Sequence, residues 1–294
     1  EVPTLMISGW GDPSGLGTKL AWETMRKHGR KNAWLVYGPW TSEPSPSEFD
    51  LSSLTLRFFD AYLKEKSEAL AAVPRVQAYV TGANRWVTLD GWPSSTSTFE
   101  TLYFGAATLK KAPGSAVPAA FTYDPAKDMG SRLVGEGATK IKLPPKGTFV
   151  LFKGEPVAHA TAVAGPFEVR LFFKSNAVDT DFFATLVDLA PSGEMRMIGQ
   201  PGKLRASYRK SLESPELLQP NEHSTALLKP WDGAHELAKG HRLAVIINSS
   251  LFPAYARNLG TGEPLSSGKK MVAQRNVILT GTVTPSRITF RKLW

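Results

Sequence analysis

The sequence predicts a chain of two parts, a short α/β segment over residues 1–72 and an all-β sandwich of jelly-roll type over residues 73–294. Three observations predict it. Buried-type strands alternate with helical periods in the first 65 residues or so, which is the grammar of a parallel sheet. After about residue 73 the helical period fades, and short alternating segments follow, separated by Gly and Pro turns. The composition, 42% hydrophobic and 21% charged over 294 residues, is that of a folded globular chain with a substantial core.

Taken in order, Leu5-Met-Ile7 reads as a short buried strand closed by Gly9-Trp-Gly11-Asp12-Pro13. Leu16 to His28 has helical spacing, with Leu16, Leu20, Ala21 and Met25 on one side and Gly29 at the stop position. Asn32 to Tyr37 is a second buried strand, ended by Gly38-Pro39, and a polar loop with two prolines follows. Glu48 to Lys66 predicts the best helix of the chain. Leu51, Leu54, Phe58 and Tyr62 form its stripe, widened by Leu56, Phe59 and Leu63. Two strands cannot bury a parallel sheet alone, and the sequence enters its first strand directly from Glu1. The expectation is therefore an amino terminus made by processing, cloning or proteolysis, with the start of the sheet elsewhere. In the second part Val76, Ala78 and Val80 alternate with polar neighbours. Phe167–Lys174, Asp181–Leu189, Leu243–Ile247 and Met271–Val283 are further strand candidates.

Chemistry is narrowed by what the sequence lacks. There is no cysteine, so thiolate nucleophiles, thiolate zinc sites and disulfides are excluded. No Gly-x-Ser-x-Gly elbow, phosphate loop or dinucleotide fingerprint occurs, and no cofactor is expected. The formal charge of +9 is scattered. Its densest clusters, Arg26–Lys31, Lys140-Ile-Lys142 and Lys269-Lys270, are not interleaved with aromatics, which predicts solvated surface and not a nucleic-acid partner. No stretch approaches about 18 consecutive apolar residues, so no membrane partner is expected through a spanning helix. No signal-type segment is present, and the compartment stays open.

Candidate site residues are few. The histidines at 28, 159, 223, 235 and 241 have no metal-ligand spacing and are expected at surface or structural positions. Asp179-Thr-Asp181, with Asp188 beyond, could hold a hard cation, or its carboxylates could accept local backbone donors. Asp12 follows a buried strand at the carboxyl edge of the predicted sheet, where α/β proteins place their chemistry. It is a candidate catalytic acid or a helix-capping turn residue.

Several blocks carry a family pattern. They are Ser8-Gly-Trp-Gly-Asp12, Leu35-Val-Tyr-Gly-Pro-Trp-Thr41, Phe58-Phe-Asp-Ala-Tyr-Leu-Lys64 and Val80-Thr-Gly-Ala-Asn-Arg-Trp86 with Trp92-Pro93. Asp179-Thr-Asp-Phe182, Leu204-Arg-Ala-Ser-Tyr-Arg209, Gly240-His-Arg242 and Arg257-Asn-Leu-Gly-Thr-Gly262 continue it. With these blocks the chain resembles the C-terminal part of the cocaine esterase / X-prolyl dipeptidyl-peptidase (CocE/NonD) family of serine acyl hydrolases. The resemblance implies that residues 1–72 are the last part of an α/β-hydrolase sheet and that Asp12 holds the triad acid position. The family's catalytic histidine falls at position 42, where this chain has Ser42, and its nucleophilic serine lies upstream of the matching segment. A serine hydroxyl is too weak a base to replace imidazole near neutral pH. The implied function is that of a hydrolase segment inactive alone. It would act on a small ester or amide only when completed by a missing N-terminal segment, with a homo-oligomer as the other partner expected. The alternative is a non-catalytic binding or scaffolding sandwich, for instance one that holds sugars through exposed aromatics. Against that, Trp86 and Trp92 match framework positions of the family.

Overall fold

The computed structural model describes residues 2–12, 15–41, 49–127, 140–264 and 266–294. The first elements are β1 (Thr4–Gly9), α1 (Gly15–Lys27), β2 (Ala33–Gly38), α2 (Leu51–Leu63), β3 (Val76–Val80) and β4 (Arg85–Leu89). They make a four-stranded sheet in the order β1-β2-β3-β4. β1 pairs with β2, and β2 with β3, in parallel, while β4 closes the sheet antiparallel to β3. Strands β3 and β4, which begin at residue 76, thus share a sheet with the α/β segment.

Thirteen further strands build the second part: β5 (Thr98–Phe104), β6 (Leu109–Lys110), β7 (Ala119–Tyr123), β8 (Phe149–Lys153), β9 (Thr161–Ser175), β10 (Asp181–Leu189), β11 (Met195–Met197), β12 (Gly202–Arg205), β13 (Ser224–Leu228), β14 (Ala234–Leu237), β15 (Arg242–Asn248), β16 (Gln274–Leu279) and β17 (Arg287–Lys292). One sheet runs β11-β10-β15-β8 with β12 also on β10. The other runs β6-β5-β17-β9-β16-β7 with β13 and β14 also on β9. The two sheets form a β-sandwich. Its core follows from strand alternation: Phe167, Val169, Leu171 and Phe173 of β9 face Phe182, Ala184 and Leu186 of β10 and Val245 and Ile247 of β15. The other face of β10 is also covered. Phe183, Val187 and Leu189 pack with Ala244 and Ile246 under Ile141, Leu143 and Tyr255, so this strand reads as an apolar run.

The helices lie on opposite faces of the four-stranded sheet. Phe58 and Ala61 of α2 pack on Trp34 and Leu5, and Leu54 packs on Val36 and Ile7. On the other face Met6, Leu35, Tyr37, Val76 and Ala78 meet Trp22 of α1 and Trp92. They also meet Ala162 and Ala164 of β9 and Ala234 of β14, so one cluster joins the sheet to the sandwich. The small alanines let the two sheets approach.

Both helices differ from their expected faces. In α1 the buried residues are Lys19 and Trp22, while Leu16 and Leu20 are 37% and 53% exposed and Ala21 is exposed. Specific polar contacts set the rotation. Lys19 Nζ sits 2.7 Å from Asp232 Oδ1, with both side chains buried, and the Trp22 indole donates to the Trp92 carbonyl at 2.8 Å. Helix α2 starts at Leu51, where the Asp50 carboxylate caps it by accepting from Ser53 N–H at 2.9 Å. It buries Leu54, Phe58 and Ala61, and leaves Leu56, Phe59, Tyr62 and Leu63 exposed.

The Trp92 indole also donates to Asp232 Oδ2, at 2.8 Å. Replacing Asp232 with Ala would leave the buried Lys19 ammonium with only the half-exposed Glu23 carboxylate, 4.0 Å away, and should cost about 3–5 kcal/mol in urea unfolding. The double variant Lys19→Met/Asp232→Leu should recover most of that loss. If Asp232→Ala unfolds at the wild-type midpoint, this buried pair does not hold the two parts together.

Candidate functional site

Asp12 follows β1 at the carboxyl end of the parallel strands, and Trp40 and Thr41 follow β2 at the same end. The two loops are fastened to each other. Trp10 N–H donates to the Gly38 carbonyl and Gly11 N–H to the Trp40 carbonyl, each at 3.0 Å. Asp12 itself sits in a turn in which its N–H donates to the Gly9 carbonyl and its carbonyl accepts from Gly15 N–H at the start of α1. This close approach depends on glycine at position 9, where a Cβ would lie 2.1 Å from the Trp40 carbonyl oxygen. Trp10 anchors the turn from below. Its indole N–H reaches the Tyr79 carbonyl at 2.7 Å, and its ring stacks on Tyr37 at 4.3 Å between centroids. Burial first, and the nearby Asp232 charge second, hold the Tyr37 phenol well above its usual range, so Tyr37 is neutral and serves as a stacking surface.

The sandwich reaches this edge too. Gln200, in the turn between β11 and β12, donates its side-chain amide to the Gly11 carbonyl at 3.3 Å. The sequence singles out neither Gln200 nor the Lys19–Asp232 pair, because each joins residues about two hundred positions apart and lies in no local motif. Ser42 lies outside the described residues. His28 follows the end of α1, at the opposite edge of the sheet from Asp12.

The other candidate carboxylates separate into two places. Asp181 accepts both ends of an Arg205 fork, at 2.8 and 3.0 Å. Asp179 accepts from the backbone N–H groups of Thr180 and Ser207 and from the Ser207 hydroxyl. The Asn258 amide bridges the two, at 3.1 Å to Asp179 and 2.8 Å to Asp181. Burial is the largest influence on Asp179 and raises its carboxyl pKa, against the pull of Ser207 N–H and Asn258. Asp188 belongs to neither group. It lies on β10 between His235 Nε2 at 3.0 Å and His241 Nδ1 at 2.8 Å, and His235 Nδ1 meets the Thr81 hydroxyl at 2.9 Å. All these carboxylates are spent on protein donors. Among the described residues, no group of three or more His, Asp or Glu side chains could hold a metal ion.

The chain is similar to several known proteins. A family model described as the X-Pro dipeptidyl-peptidase C-terminal non-catalytic domain matches residues 68–289. The cocaine esterase of Rhodococcus sp. (strain MB1 Bresler) is 29% identical over an alignment that covers 97% of this chain and 55% of the esterase. Among solved structures, an α-amino acid ester hydrolase superposes with a TM-score of 0.86 at 24% identity, covering 99% of this chain and 55% of its own. An aminopeptidase from a marine-sediment Thaumarchaeota archaeon gives 0.86 at 21% identity, covering 100% and 55%. A CocE/NonD family hydrolase from Staphylococcus aureus gives 0.76 at 19%, covering 99% and 54%. The chain thus spans about half the length of these relatives. Asp12 and the Gly38–Thr41 loop precede the part matched by the family model.

Gly9→Ala should destabilise the fold by about 1–3 kcal/mol, as overpacking against fixed backbone does. It should also release the Trp10 and Gly11 N–H groups to faster hydrogen exchange. Unchanged exchange at both amides would mean that the two loops do not depend on this contact.

Proposed function

The chain belongs to the X-Pro dipeptidyl-peptidase C-terminal non-catalytic domain family, and from that premise we propose that it is the C-terminal segment of a CocE/NonD-type serine acyl hydrolase. The observation that carries this reading is the pair of fastened loops after adjacent parallel strands, with Asp12 on the first and Gly38-Pro-Trp40-Thr41 on the second. Open α/β sheets hold their chemistry at that edge. The sheet β1-β2-β3-β4 is then the end of an α/β-hydrolase sheet, and the strands from β5 onward a jelly-roll sandwich that abuts the site through Gln200.

Asp12 takes the triad acid position. In a complete site a serine attacks the acyl carbon, a histidine accepts its proton, and the acid orients and steadies the imidazolium. This chain provides the acid without the other two, since position 42 is Ser42 and no nucleophile elbow is present. Its substrates, esters, amides or X-Pro peptides, are reached only when a further hydrolase segment brings the serine and a base. A scaffolding role for the sandwich is the alternative, favoured by the non-catalytic description of the matched family.

The purified chain should release p-nitrophenol from p-nitrophenyl acetate at the buffer rate and should take no fluorophosphonate label. Ser42→His should change neither, because a restored base has no nucleophile to serve. Native mass spectrometry tests the completing partner directly. Turnover or labelling by a species of 32.0 kDa would overturn the account of a segment inactive alone.

A further inference from the structure

Two polar side chains stand inside the sandwich, on a strand face that otherwise carries core. Gln274, Asn276 and Ile278 alternate with Arg275 and Val277 along β16, so the three share one face. Ile278 packs in the sandwich core, and Gln274 and Asn276 are fully buried beside it. On the neighbouring β7 they sit opposite Tyr123 and Phe121. Each spends its amide nitrogen on the protein. Gln274 Nε2 donates to the Asn258 carbonyl at 2.8 Å. Asn276 Nδ2 donates to the hydroxyls of Thr180 at 3.0 Å and Ser249 at 2.9 Å. The Gln274 bond also fixes which end of its amide is oxygen, since a carbonyl accepts only from the nitrogen end. Neither amide oxygen, Gln274 Oε1 or Asn276 Oδ1, has a hydrogen-bond partner among the described residues. A buried acceptor left in this way points to a bound water or ion.

The neighbouring charges decide between them. Asp179 and Asp181, both buried, join the same network through the Asn258 amide. They face one guanidinium, Arg205, whose Nε lies 2.8 Å from Asp181 and 3.9 Å from Asp179. Arg257 is turned elsewhere, to the Pro125 carbonyl and the Phe252 ring. Two buried carboxylates are thus set against one cation, and buried charges are paired or coordinate a metal. Calcium and magnesium are held through carboxylates, whereas here both carboxylates already accept from protein donors. A singly charged ion is satisfied by neutral carbonyl oxygens. The sequence blocks Asp179-Thr-Asp-Phe182 and Arg257-Asn-Leu-Gly-Thr-Gly262, which take no part in the edge that carries Asp12, meet at this point.

We infer that Gln274 Oε1 and Asn276 Oδ1 hold an alkali cation, sodium or potassium, inside the sandwich, where it ties β16 to the Asp179–Asp181 turn and the Asn258 loop. The site stands whether or not the chain is part of a hydrolase.

The test is thermal unfolding of the full chain, freed of alkali ions in choline chloride, as sodium or potassium chloride replaces choline at constant ionic strength. Sodium, potassium or both should raise the midpoint along a saturating curve, as a ligand of the folded state does, and the ion effective at the lower concentration is the resident one. Gln274→Met keeps the side chain's length without its oxygen and should abolish the shift. Arg275→Gln, at an exposed residue of the same strand, should leave it unchanged. Crystals of the wild-type chain soaked in thallium(I) acetate give a second readout that needs no variant, with an anomalous peak expected between the two amide oxygens. Equal midpoints in choline, sodium and potassium, a shift that Gln274→Met retains, or a map with water between the amides and no thallium peak would each overturn the site.

Discussion

The Lys19–Asp232 pair is the constraint on which the arrangement of the two parts depends. Burying an ammonium and a carboxylate costs several kcal/mol for each ion, and only close geometry with further hydrogen bonds offsets it. Both conditions hold here. The pair is 2.7 Å long, and the second carboxylate oxygen accepts the Trp92 indole N–H. Gly165 is needed for this, since a Cβ there would sit 2.4 Å from Asp232 Oδ1. One carboxylate from the sandwich therefore fixes the rotation of α1 and the place of Trp92. Both elements cover the sheet that presents Asp12.

Around that pair the joint is built from unlike materials that share one purpose. The aromatic cluster of Trp10, Tyr37 and Trp92 supplies bulk, and Ala162, Ala164 and Ala234 supply closeness. Backbone pairing adds direction. Thr81, just past β3, donates its N–H to the Ala234 carbonyl and accepts from Glu236 N–H, so β3 runs on into contact with β14. His235 continues the same line inward to Asp188. The polar residues of this region serve the joint, which explains why charged and imidazole side chains stand at buried positions without forming a metal centre.

The face presented to solvent by α2 contrasts with this finished joint. Where the four-stranded sheet meets the sandwich, almost every apolar side chain is covered and every named donor has an acceptor. On the outer side of α2 large apolar groups stand exposed. The same helix thus has one side covered by the chain itself and one that carries Leu56, Phe59 and Leu63 in the open.

The alternation of strand and helix before residue 73, the run of short strands after it, and the position of Asp12 after a buried strand were legible in the sequence, because strand and helix periods are local properties of neighbouring residues. So was the family, through blocks such as Ser8-Gly-Trp-Gly-Asp12 and Asp179-Thr-Asp-Phe182. The buried side of α1 was not. Periodicity selects Leu16 and Leu20, yet Lys19 turns inward because its partner lies 213 residues away. Asp188 likewise parts from Asp179 and Asp181 because two histidines on later segments meet it. Gln200 reaches the Asp12 turn only once the sandwich has folded. Sequence alone determined the strands and helices of the first 65 residues or so, the strand-rich character of the rest, and which edge carries the candidate acid. Tertiary structure decided which charges are buried, since the energy of a buried charge depends on a partner that no local spacing reveals.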